Sequence, residues 1–130
     1  MLKELVTFLR GCPYTDNITS CASYTNCDSI SVMPLKGLAV KKYTDGREIK
    51  TINVALLKKT FYSPNGDTDF ETDTFFENVA HWLKAEFNKG DIYVSNYRFV
   101  LVEPADTYTI DTFSSIGIYS LKLKVVYDEI

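Results

Sequence analysis

Asp45-Gly46 stands between two runs of residues that favour extended backbone, and this dipeptide restricts the fold more than any other local signal in the chain. A two-residue hairpin loop of type I′ needs positive φ at both central positions, which Asp followed by Gly tolerates. Upstream, Leu38, Val40 and Lys42 alternate with Ala39, Lys41 and Tyr43. Downstream an unusually long arm runs from Glu48 to Tyr62, with Ile52, Val54 and Leu56 on one face and Ile49, Thr51, Asn53, Ala55 and Leu57 on the other. Leu35 to Ser63 is therefore expected to form a long β-hairpin. Neither face of its second arm is wholly polar, so that arm is expected to touch protein on both sides.

The segments around the hairpin have other periods. Leu2, Leu5, Val6 and Leu9 recur at helical spacing until Gly11 and Pro13, which predicts a short docking helix. Cys12 to Asp28 is rich in Thr, Asn, Ser and Asp and has no period, so it reads as an irregular connection. After Pro64 and Gly66 a helix is expected to start near Asp73 or Thr74, with Thr74 and Glu77 fitting a capping box. Phe76, Val79, Ala80, Leu83 and Phe87 form its apolar stripe, Phe75 and Trp82 widen it, and Gly90 is placed to end it. Farther on, Tyr97, Phe99 and Leu101 alternate with Arg98, Val100 and Val102, and Tyr119, Leu121, Leu123, Val125 and Tyr127 line one face of a last strand. The order predicts an α+β domain over residues 1–130. Its mostly antiparallel sheet has a long β-hairpin and packs against one long helix plus a short N-terminal helix.

Composition narrows the function classes. At 130 residues with 45% hydrophobic side chains, the chain suits one domain with one core. Fourteen basic residues against 17 acidic ones leave a formal charge of −3, so there is no excess of cations to neutralise a phosphate backbone. Met1 to Arg10 carries Glu4 and Arg10 in what would have to be a signal's apolar region, and no run reaches membrane length. A soluble protein made and kept in the cytoplasm is expected, without membrane association. Cys12, Cys21 and Cys27 are odd in number and lack the close spacing of a zinc knuckle, so free thiols are expected.

The chemistry-bearing residues form no recognisable constellation. There is no Gly-rich phosphate loop, and His81 is the one histidine. On an amphipathic helix it is expected to pack or to be partly exposed. Asp67, Asp69, Glu71 and Asp73 could gather Ca²⁺, but their order is wrong for an EF-hand. A solvated acidic loop leading to a helix N-terminus accounts for them. Lys41-Lys42 and Lys58-Lys59 could face each other across the hairpin as a basic patch that touches DNA, or serve as solubilising edge charge. Asn17-Ile18-Thr19 is a formal glycosylation sequon of no weight in a cytoplasmic protein. No cofactor, metal or catalytic residue is assigned.

Several blocks resemble short phage and prophage proteins known as minor capsid or tail-completion proteins. They are Leu35 to Ser63, with Lys41-Lys42-Tyr43-Thr44-Asp45-Gly46 and Phe61-Tyr62-Ser63; Phe75-Phe76-Glu77-Asn78-Val79-Ala80-His81-Trp82-Leu83 with Lys89-Gly90; and Val125-Val126-Tyr127. Cys12 to Asp28 has no counterpart. The resemblance implies a tail-terminator-like fold and a structural, non-enzymatic virion protein. It would cap the tail tube as a hexameric ring, end its elongation and join it to the head connector at the neck. The partners implied are further copies of the chain, the tail-tube protein and the connector or stopper, with DNA passing through the lumen unbound. A head-completion or stopper subunit is the nearest alternative, and a small α+β ligand-binding or enzymatic module with a pocket under the Trp82 helix is another. Lys41, Lys42, Tyr43, Asp45, Gly46, Ile52 and Val54 of the hairpin are the expected subunit-contact residues, because extended arms add to neighbours through backbone hydrogen bonds.

Overall fold

The computed structural model describes residues 1–19, 29–62, 66–113 and 115–130. Its elements run α1 (Leu2–Leu9), β1 (Ser29–Lys42), β2 (Glu48–Phe61), α2 (Asp67–Asn88), β3 (Ile92–Val94), β4 (Tyr97–Pro104), β5 (Thr109–Phe113) and β6 (Ile116–Glu129). Among the described residues, the strands form one six-stranded antiparallel sheet in the order β1-β2-β6-β4-β3, with β5 also paired to β6. β4 and β5 occupy the same flank of β6 end to end, β4 from Leu123 to Glu129 and β5 from Ile116 to Ser120. The architecture is α+β.

β6 is central because its alternation is strict: Tyr119, Leu121, Leu123, Val125 and Tyr127 are all buried on one face. Val54, Leu56 and Val32 continue that face across β2 and β1, each with no exposed surface. α1 contributes Leu5, Val6 and Leu9, as its spacing predicts, and α2 contributes Phe75, Phe76, Val79 and Leu83. Phe8 ties the layers together, with ring centroids 5.1 Å from Trp82, 5.5 Å from Phe87 and 6.3 Å from Phe99. Each fully buried side chain of this size stabilises the fold by about 1.5–3 kcal/mol before entropy is counted.

Part of the irregular segment is firmly held. Thr15 is buried, and its hydroxyl donates to the carbonyl of Leu9 at 2.6 Å, satisfying the end of α1. Cys12 and Ile18 enter the core, Cys12 as a free thiol, and Thr19 adds a parallel bridge to Ser31. Cys21 and Cys27 lie outside the described residues. Among the described residues, no helix is long and apolar enough to cross a membrane.

Four local expectations are corrected. α2 begins at Asp67, well over a turn before Asp73, at a left-handed Gly66 with φ 88°. Thr74 is consequently inside the helix and caps nothing; its hydroxyl donates to the carbonyl of Phe70 at 3.2 Å. The acidic run is therefore helical and not a loop. Asp69 and Asp73, one turn apart, both bond to tyrosines: Asp69 accepts from Tyr119 of β6 at 2.6 Å, and Asp73 accepts from Tyr108, just before β5. In β4 a bulge at Val100 shifts the register between Phe99 and Leu101. It brings Val102 to the buried side with Phe99 in place of Leu101, because one extra residue inverts the alternation beyond it. Finally, the two Lys pairs lie at opposite ends of the hairpin. Lys41 and Lys42 stand opposite Ile49 and Glu48, whereas Lys58 and Lys59 stand opposite Ile30 and Ser29.

Candidate subunit-contact surface

The hairpin turns on Tyr43 to Arg47, and the turn is not the two-residue type I′ loop that Asp45-Gly46 suggests. Gly46 N–H donates to the Tyr43 carbonyl at 3.0 Å, Tyr43 N–H donates to the Arg47 carbonyl at 2.9 Å, and of these residues only Gly46 has positive φ, at 89°. This is a three-residue loop, a tight turn closed by a left-handed glycine. Asp45 stiffens it by accepting from Arg47 N–H at 3.1 Å and from Arg47 Nε at 3.0 Å. That backbone hydrogen bond is the main reason the Asp45 carboxyl lies below its ordinary pKa.

Cations and an aromatic ring share the tip. Lys41 Nζ stands 5.4 Å from the centre of the Tyr43 ring and the Arg47 guanidinium 5.6 Å from it. Lys42 Nζ lies 3.6 Å from Glu48 across the strands, both side chains exposed. Such exposed pairs contribute at most about 1 kcal/mol, so they arrange the tip more than they stabilise it.

The exposed apolar side chains lie just behind the tip. Leu38 is 58% and Val40 43% exposed, although register with Ile52 and Lys50 puts them on the core face of the sheet. A break in the β1–β2 ladder between Pro34 and Leu38, with Gly37 at φ 113°, separates this distal part of β1 from the part covered by helices. The core face thus runs on uncovered for two side chains. β1 is also one of the two end strands in the order of the sheet.

The seven expected contact residues divide accordingly. Lys41, Lys42, Tyr43, Asp45 and Gly46 are exposed at the tip. Ile52 is half-buried and packs on the core. Val54 has no exposed surface and belongs to the core of the single chain, so it cannot meet a neighbour directly; this corrects its inclusion. Leu38 and Val40 are exposed on the same face instead. Their alternation was readable in the sequence, but not that the helices stop short of them.

A cleft of about 550 Å³ lies between the last turns of α2 and the second half of β4, lined by Leu83, Lys84, Phe87, Val100, Val102 and Glu103 among others. His81 is exposed and does not line it. Among the described residues, no group of three or more His, Cys, Asp and Glu side chains gathers as a metal site. Compared with known proteins, the chain matches no family model and no curated protein.

Proposed function

We propose that the chain is a structural subunit of a phage virion, a tail terminator that assembles as a hexameric ring on the last tube ring, ends tube growth and forms the joint to the head connector. The observation that carries this reading is the hairpin end: an exposed turn with Lys41, Lys42 and Tyr43, next to the exposed Leu38 and Val40 on an outer strand of a well-packed α+β core. A ring subunit uses such a strand edge on its neighbour. The likeness of the hairpin, the α2 segment and the closing strand to tail-completion proteins supports the same reading, as does a formal charge of −3, which does not favour adhesion to DNA moving through a lumen. On this reading the protein has no catalytic role and ends in the virion neck after assembly in the host cytoplasm.

Deleting the gene from the phage and imaging the particles tests the proposal. Tubes of irregular, excess length without heads are expected. Tubes of uniform length joined to heads would overturn the terminator role. Co-purification of the protein with portal or adaptor, and not with tail-tube protein, would reassign it as a head-completion subunit.

A further inference from the structure

The hairpin tip and the exposed face of the first turns of α2 carry opposite charge, although each end of the sheet as a whole is mixed. Asp128 and Glu129 lie beside the tip, and at the other end Lys58 covers the buried-side Phe75 ring of α2 at 4.4 Å, next to Lys59. From Leu38 to Lys50 the chain holds four basic residues against two acidic ones, while Asp67 to Glu77 holds five carboxylates and no Lys or Arg. Register places these segments far apart. Lys50 pairs with Tyr127 near the tip, and Phe61 pairs with Ile116 at the other end, where Tyr119 holds Asp69 of α2. Eleven residues of strand separate the two, on the order of 40 Å. The tip of one chain therefore cannot reach the acidic helix of the same chain.

Each end also exposes apolar surface. Leu38 and Val40 flank the basic tip, and Phe70 is 76% exposed within the acidic turns of α2, next to Glu71 and one helical step from Asp73 and Thr74. An aromatic ring this exposed among carboxylates suits a surface that is cationic and apolar together. The hairpin tip of a second copy is such a surface.

We infer that the chain associates head to tail, the Lys41–Lys42 tip and the Leu38–Val40 patch of one copy seating on the Phe70–Glu77 face of α2 in the next. This rests on the proposed ring and names the surface that receives the hairpin. Because the two faces differ, the contact is heterologous. It closes into a ring where the rotation between copies allows and otherwise continues as a filament.

The test uses two charge-reversed chains, Lys41→Glu with Lys42→Glu, and Glu71→Lys with Glu77→Lys. Asp73 is left intact because Tyr108 bonds to it. All four replaced side chains are exposed, so both variants should melt close to the parent. Sedimentation velocity at low salt should show the parent associating, and each variant alone at least tenfold weaker. An equimolar mixture of the two variants should regain assembly, because each tip then meets a helix of opposite charge. A parent that stays monomeric at millimolar concentration would overturn the inference, as would variants that associate like the parent or a mixture that fails to recover. None of these outcomes touches the terminator role, which the deletion phage decides separately. Normal tubes in that phage would remove the role and leave head-to-tail association to stand on sedimentation.

Discussion

Arg98 holds Asp128 in a two-pronged pair, with Nε donating at 2.9 Å and Nη2 donating to the other carboxylate oxygen. Asp128 is only 3% exposed, on the strand at the centre of the sheet. Removing the guanidinium would leave a buried, uncompensated carboxylate, so Arg98→Ala is expected to cost about 3 kcal/mol in urea unfolding. A cost under about 1 kcal/mol would show that water reaches Asp128. At the other end, the hydrogen bond to Asp73 is the main reason the Tyr108 hydroxyl is pushed up to about 12, while burial above all, then Asp69, raises Tyr119. Both shifts favour the protonated phenol in the fold. The stability they contribute is complete below pH about 10, the unfolded value, and is lost as pH rises toward about 12. Unfolding midpoints should fall over that interval, and the fall should be shallower for Tyr108→Phe with Tyr119→Phe.

At the scale of elements, turns decide where strands end. The β3–β4 hairpin turns through Ser95, the one described non-glycine residue with positive φ, at 55°. Ser95→Gly is expected to stabilise by up to about 1 kcal/mol, read as a higher melting temperature, because glycine adopts that backbone without a Cβ clash. In α2, Thr74→Ala should change stability by less than about 0.5 kcal/mol, whereas loss of a true N-cap costs about 1 kcal/mol. The true start at Gly66 was hard to read. T-x-x-E is a strong local signal, but Asp69 and Asp73 are drawn into helix by Tyr119 and Tyr108, tens of residues downstream. The short strand Ile92–Val94 was missed, although Ser95-Asn96 between extended runs was a legible turn signal.

For the whole molecule, the separation of charge is the property with the widest consequence. A contact between a cationic tip and an acidic helix is screened by ions, so self-association should weaken steeply between low and high salt, as light scattering can follow. An interface held by Leu38, Val40 and Phe70 alone would show the reverse or no trend. The sequence by itself determined the α+β class, the hairpin, the apolar faces of α1, α2 and β6, and the surplus of carboxylates after Gly66, since each follows from local period, turn chemistry or charge count. Tertiary structure decided what those features meet. It buried Val54 and exposed Leu38 and Val40 on the same face, because helices cover one part of the sheet and not the other. It also set the basic tip and the acidic helix at opposite ends, because strand register and not distance along the chain fixes where segments lie.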